Sequence, residues 1–210
     1  MNAVSLAAFH NEWYTPGRSR VVRAAWFFAG LPLLRSTWLP FGSLRAALLR
    51  LFGAQLGRGL VIKPGVRIKY PWLFEAGDDC WIGEDAWIDN LAPVRLGSNV
   101  CISQGAYLCT GNHDWSDPAF GLVVKPIEIG DGAWIGAKAV IAPGAGAAEG
   151  AVVAAGSVVT RHVPAFEVHA GNPAVFLRKR VIRPSPARGM EASSGERSGS
   201  NSTLSTVTHS

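Results

Sequence analysis

A period of six residues constrains this chain more than any other feature. Aliphatic side chains recur at Ile82, Ile88 and Val94, and after a two-residue slip at Leu96, Ile102 and Leu108. The series resumes at Ile129, Ile135 and Ile141 and runs on through Ala147, Val153 and Val159. Four residues after these positions the side chain is small or β-branched, as at Ala86, Ala92, Val100, Ala106, Ala133 and Ala139, and then Ala145, Ala151, Ser157 and Val163. Glycines such as Gly83, Gly97, Gly130 and Gly136 directly follow aliphatic positions.

Six fits neither the 3.6-residue helix nor a long strand alternating every two residues. It fits short strands separated by tight bends, each sending one aliphatic side chain inward, with the small residue at the corner. Three such hexads close a triangular coil, and coils stack at the strand spacing of ~4.8 Å. The fold class expected is an all-β solenoid. A sandwich of short strands would not keep a strict period over this length.

The flanks read differently. Residues 1–58 form an N-terminal helical arm: 18–52 lack the six-period, Pro32 and Pro40 break the helix, Ser43 caps LRAALLRLF and Gly53 ends it. Leu44, Ala47, Leu48 and Leu51 would bury against the first coil. Residues 59–173 are the solenoid, interrupted by a loop at 112–128 whose Asp117-Pro118 and Gly121 favour turns. The segment AVFLRKRVI within 174–183 reads as a short closing helix. Residues 184–210 turn to Ser, Pro, Gly and Thr, too poor in apolar side chains to offset ordering entropy, and a disordered tail is expected.

The net charge of +5 is unevenly spread. Residues 1–60 hold seven Arg, no Lys and one acid, Glu12, whereas 61–183 hold 11 basic and 12 acidic residues. A basic arm of this kind meets an anionic surface, a membrane being one, or is the solvated face of a terminal helix; it does not suggest a nucleic-acid-binding core. Cys80, Cys101 and Cys109 are odd in number and form no CxxC pair, so neither a disulfide framework nor a zinc site is expected. The longest apolar run, Ala24 to Leu34, is about half of a membrane span. A cytoplasmic protein, peripheral to the inner face of the membrane if the arm binds there, is the resulting expectation.

His113, in TGNHD where the loop leaves the coil, is the candidate catalytic group. An imidazole near its reference pKa can take a proton from a hydroxyl attacking a carbonyl. No Ser-His-Asp or Cys-His nucleophile motif competes, which favours direct transfer over a covalent enzyme intermediate.

The run LCTGNHDWSDPAFGLVVKPIEIGDGAWIGAKAVIAPG, followed by GAVVAAGSVVTRHVP and AGNPA, resembles the sugar and nodulation-factor O-acetyltransferases of the hexapeptide-repeat class. The upstream RLFGAQLG and RIKYPWLFEAGDDCWIGEDAWIDNLAPVRLGSNVCISQGAYLCTGNHD are similar to the colanic acid biosynthesis acetyltransferase branch. The resemblance covers about residues 45–180. It implies a left-handed parallel β-helix, although generic crossover rules favour the other hand. It further implies a homotrimer with active sites between neighbouring β-helices, acetyl-CoA as acyl donor, no metal, and His113 as base on a sugar or lipid-linked glycan acceptor.

On the donor side the resemblance implies Ser103, Trp134, Ala137, Ala155, Thr160, Arg161 and Arg178, the small residues through backbone contacts and the two arginines toward CoA phosphates, unless these are plain surface charge. On the acceptor side Asp89, Asn90 and Asp114 are candidates, Asn90 having the alternative of satisfying local backbone. By register Asp85 stands where related sugar enzymes carry an acceptor-contacting Asn. Three other functions compete: acetylation of an antibiotic or serine-like hydroxyl, a non-catalytic scaffold, and a zinc-dependent carbonic anhydrase on the same fold, for which the chain offers His10, His113, His162, His169 and His209.

Overall fold

The computed structural model describes residues 4–39 and 41–183. The segment 184–210, where a disordered tail is expected, lies outside the described residues.

Five triangular coils build the solenoid. The first is β1 (Gln55–Leu56), β2 (Val61–Ile62) and β3 (Arg67–Ile68), and the second β4 (Phe74–Ala76), β5 (Trp81–Ile82) and β6 (Trp87–Asp89). The third is β7 (Val94–Leu96), β8 (Cys101–Ile102) and β9 (Tyr107–Cys109). After it the chain leaves as a hairpin, β10 (Gly111–His113) and β11 (Leu122–Val124). The fourth coil is β12 (Ile127–Ile129), β13 (Trp134–Ile135) and β14 (Val140–Ile141), and the fifth β15 (Gly146–Ala147), β16 (Val152–Val153) and β17 (Val158–Val159). The chain closes with β18 (Glu167–Gly171) and β19 (Ala174–Lys179).

Equivalent strands pair in parallel and form three sheets: β1-β4-β7-β12-β15, then β2-β5-β8-β13-β16 extended by β18 and β19, then β3-β6-β9-β14-β17. All twelve aliphatic positions of the six-period are buried, and so are the ten small residues that follow them. Ile62, Ile82, Ile102, Ile135 and Val153 therefore stack on one another in register along the axis. Truncating one of them, such as Ile102→Ala, leaves a void its rigid neighbours cannot fill, at about 2–5 kcal/mol.

The corners have their own chemistry. At most corners the residue before the buried side chain takes a left-handed φ: Asp79 before Cys80, Asp85 before Ala86, Asn99 before Val100, Gly156 before Ser157. Asp, Asn and Gly tolerate that conformation best, and Lys138 (φ 58°) departs from the pattern. Gly136, outside those positions, serves close approach: a Cβ there would stand 2.6 Å from the Ala155 amide nitrogen of the next coil.

All three insertions into the 18-residue coil fall at the corner joining the third sheet to the first. Leu56 pairs with Ala76 and Ala76 with Leu96, so the first two coils carry two extra residues each. Leu96 pairs with Ile129, leaving room for the hairpin, and Ile129 with Ala147 restores the plain coil. The two-residue slip between Val94 and Leu96 is thus both ends of one strand, each buried.

Several expectations are corrected. The solenoid begins at Gln55 rather than residue 59, and the excursion returns to the coil at Ile127 rather than after residue 128. The expected closing helix at 174–183 is instead strand β19, antiparallel to β18, with Lys179 paired to Glu167 at 2.8 Å. An open sheet edge rewards another strand more than an isolated short helix rewards its own hydrogen bonds.

In the arm, α1 (Arg20–Ala25), a π-helical turn (Trp26–Gly30) and α2 (Leu31–Arg35) run on as one helical segment. Pro32 does not end it, because the widened turn accommodates the proline's missing N–H. In α3 (Gly42–Leu51) Ser43 is inside the helix, the N-cap is Phe41 without a side-chain bond, and the buried face is Arg45, Ala46 and Leu49. Leu44, Ala47 and Leu51 point outward and Leu48 is half-buried. The helix turns this way because Arg45 is drawn in to donate to the Leu34 and Ser36 carbonyls that end α2. Among the described residues no helix is long and apolar enough to cross a membrane.

Candidate active site

His113 ends β10, opposite Leu122 of β11. Its Nδ1 lies 2.9 Å from the Phe120 carbonyl oxygen. A carbonyl can only accept, so the shared proton resides on Nδ1 and the Nε2 lone pair is left for a proton from elsewhere. The Phe120 ring stacks on the imidazole at 4.4 Å and 9°, and Phe9 of the arm meets it edge-on at 5.6 Å.

Phe120 holds a left-handed φ of 52°, unfavourable for a bulky side chain. Asp117 supports the turn that imposes it. Its Oδ1 accepts from the Ala119 amide at 2.9 Å, its Oδ2 from the Gly121 amide at 3.3 Å, and its own carbonyl from the Phe120 amide. The Asp114 amide donates to the Gly121 carbonyl and closes the loop. The strain at Phe120 is therefore maintained by a dense local network, and its product is a carbonyl aimed at His113.

His113 lines a cleft of about 380 Å³ with Asn112, Asp114, Lys125, Pro143 and Thr160. Of the residues expected at the site, this cleft brings together His113, Asp114 and Thr160, with Arg161 next in the chain. Asp114 is exposed, and hydrogen bonds from the Ser116 hydroxyl and amide hold its carboxyl below the usual carboxylate range.

The others lie elsewhere. Ser103, Ala137 and Ala155 occupy the corner between the second and third sheets in successive coils, and the Trp134 indole donates to Ser103 Oγ at 2.8 Å. Asp85 is at the same corner, in the larger cleft of about 840 Å³ beneath the arm with Phe27, Phe28 and Arg35. That cleft holds no histidine or cysteine. Arg178 is exposed on β19. Within one chain the third sheet separates His113 from the Ser103–Trp134 group.

Asp89 is committed to Lys69 at 2.9 Å and accepts from the Tyr107 hydroxyl at 3.2 Å. Asn90 is wholly buried; its Oδ1 accepts from the Tyr70 amide and its Nδ2 donates to the Tyr70 carbonyl. That reciprocal bond ties the insertions of two successive coils, so Asn90 serves backbone rather than an acceptor, a correction to its expected role. Among the described residues no three His, Cys, Asp or Glu side chains gather as a metal site.

Phe9, Phe120, Asp117 and Lys125 carry no sequence signal that places them at the site. Asp117-Pro118 and Gly121 signalled a turn, but nothing local showed that Phe120 would take the left-handed position. Phe9 reaches His113 only because the arm runs back along the insertion-bearing corner, through Ser5 to Pro118, Tyr14 to Leu91 and Trp72 to Pro16.

Residues 76–109 and 126–161 match the family model described as the hexapeptide repeat of succinyl-transferase, the gap between them being the His113 excursion. WcaF of Escherichia coli (strain K12), named as a colanic acid biosynthesis acetyltransferase, is 42% identical over 157 residues, spanning 75% of this chain and 83% of that protein. The galactoside O-acetyltransferase of the same organism is 29% identical over 142 residues, 64% of this chain and 68% of its own. The hexapeptide-repeat acetyltransferase VCA0836 of Vibrio cholerae, solved with acetyl coenzyme A, superimposes with a TM-score of 0.69 at 26% identity over 77% of this chain and 88% of that one. These neighbours are left-handed β-helices.

Proposed function

The chain belongs to the hexapeptide-repeat acetyltransferases, and from that premise we propose that it transfers acetyl from acetyl-CoA to a hydroxyl of a sugar or glycan intermediate in exopolysaccharide assembly. The observation that carries the catalytic half is the His113–Phe120 pair, which leaves Nε2 as the hydrogen-bond acceptor of a residue that lines an open cleft.

In this reading the acceptor oxygen attacks the acetyl carbonyl carbon as its proton passes to His113 Nε2. The carbon–sulfur bond breaks, and the proton goes on to the departing thiolate, giving CoA and an acetyl ester. General-base assistance of this kind contributes about 10²–10⁴-fold. Asp114, Asn112 and Lys125 supply polar contacts around the acceptor, which a sugar with several hydroxyls requires.

The separation of the two residue groups supports a homotrimer. His113 with Thr160 and Arg161 occupies one edge of the prism; Ser103, Trp134, Ala137, Ala155 and Asp85 occupy another. Neighbouring solenoids packed edge to edge place one group opposite the other. Acetyl-CoA then lies in the groove between subunits, its pantetheine arm on the small corner residues and its phosphates near Arg161 or Arg178. A cytoplasmic location follows from the donor.

The test is incubation of the full chain with acetyl-CoA and a panel of mono- and oligosaccharides, following thiol release and acetyl esters by mass spectrometry. Acceptor-dependent release with ester formation is expected. Release that is the same with and without every hydroxyl acceptor would refute the reading.

A further inference from the structure

The helical segment from Arg20 to Arg35 is apolar on both sides. Trp26, Gly30 and Leu34 face the solenoid and are buried. The outward side should then be polar, yet it presents Val21 (78% exposed), Phe27, Phe28 (77%) and Leu33, with exposed alanines at 24, 25 and 29. Phe27 and Phe28 pack edge to face at 5.1 Å and form a single aromatic ridge. Beyond the helix the chain adds Trp38 (90%) and Phe41 (65%), and α3 repeats the pattern with Leu44 and Leu51 outward. A helix apolar all round requires a partner on its second face.

Charge identifies that partner. Between Glu12 and Glu75 the chain holds ten basic residues and no carboxylate. Arg45 is consumed internally, and Arg58 pairs with Asp78. Arg18, Arg20 and Arg35 are exposed at the two ends of the apolar ridge, and no ion pair among the described residues engages them. A second copy meeting this face with the same face would place arginine against arginine, and the carboxylates that line the cleft beside Phe28 and Arg35, Glu84 and Asp85, belong to the solenoid rather than to the arm. An anionic bilayer satisfies both halves: lipid phosphates for the guanidinium groups, and the headgroup–acyl boundary for Trp38 and the phenylalanine ridge.

We propose that the outward face of the helical arm is a docking surface for anionic phospholipid membrane, on which the enzyme lies peripherally. Vesicle binding is measured without CoA or acceptor, because Phe28 and Arg35 also line the cleft that holds Asp85 and transfer would not report on the surface alone.

Flotation of the full chain is compared on vesicles of phosphatidylcholine and on vesicles with roughly a third phosphatidylglycerol, at low and high salt. Binding is expected only to the anionic vesicles and declines with salt. Phe28→Ser with Trp38→Ser, and separately Arg20→Glu with Arg35→Glu, each lower the partition coefficient by about tenfold or more while circular dichroism stays unchanged. Because all four residues are exposed, one pair remains informative if the other fails to fold. Absence of wild-type flotation with the anionic vesicles, or flotation unchanged in both variants, overturns the proposal. So does a change of sedimentation-defined oligomeric state in the Phe28/Trp38 variant, which would make the face an interface between copies.

Discussion

The Nδ1 of His113 and the carbonyl of Phe120 are 2.9 Å apart, while the two rings stack at 4.4 Å. One residue thus fixes both the tautomer and the plane of the imidazole. A turn that keeps Phe120 left-handed accordingly sets the geometry of His113, and Asp117 is the side chain that keeps it.

Asp117→Ala removes the acceptors of the Ala119 and Gly121 amides. We expect kcat to fall about tenfold or more as the imidazole loses its fixed orientation, with acetyl-CoA affinity by calorimetry unchanged. Asp117→Asn, which keeps one acceptor oxygen, recovers part of the rate. A loss confined to KM for acetyl-CoA would contradict this positioning role.

Phe9→Ala deletes the edge contact that the arm makes with His113. Such a contact is worth about 0.5–1.5 kcal/mol, so a decrease of roughly 2- to 12-fold in kcat/KM for the acceptor is expected at little cost in Tm. Unchanged kinetics would show that the arm only covers the loop.

The six-period made the solenoid legible because its rule is local: each inward aliphatic and each corner residue can be read from the chain alone. That His113 stands at the break in that period was legible as well. What escaped depends on contacts distant in sequence. Arg45 rotates α3 because α2 needs donors at its end, and no amphipathic pattern in LRAALLRLF encodes that demand. AVFLRK becomes a strand because β18 offers it an edge. Asn90 looked available as a polar group in an apolar coil, but its partner Tyr70 is twenty residues away in the coil before it.

Asn90→Ala strands the amide and carbonyl of Tyr70 in a buried corner. A destabilisation of about 1–3 kcal/mol is expected from thermal melts, with the KM for acceptor unaffected in the folded protein. Arg45→Ala should cost at least as much, since it strips donors from two carbonyls at the end of α2. An Asn90 variant with wild-type Tm and a raised acceptor KM would restore the ligand role.

The closing hairpin carries a pH dependence of its own. Hydrogen bonds from His169 and then Lys179 hold the Glu167 carboxyl below its ordinary value of 4.5. The carboxylate's contribution is therefore complete above the unfolded value and is lost as pH falls through the lower folded value. Amide protection factors in β18 and β19 should decline on acidification below about pH 4.5, and Glu167→Gln should flatten that dependence.

The most direct test of the catalytic claim is acceptor-dependent thiol release by His113→Ala, measured beside calorimetric titration of the same variant with acetyl-CoA. The variant should bind donor as the wild type does and lose transfer by about 10²-fold or more. Full acceptor-dependent transfer by His113→Ala would contradict the assignment of His113 as the base.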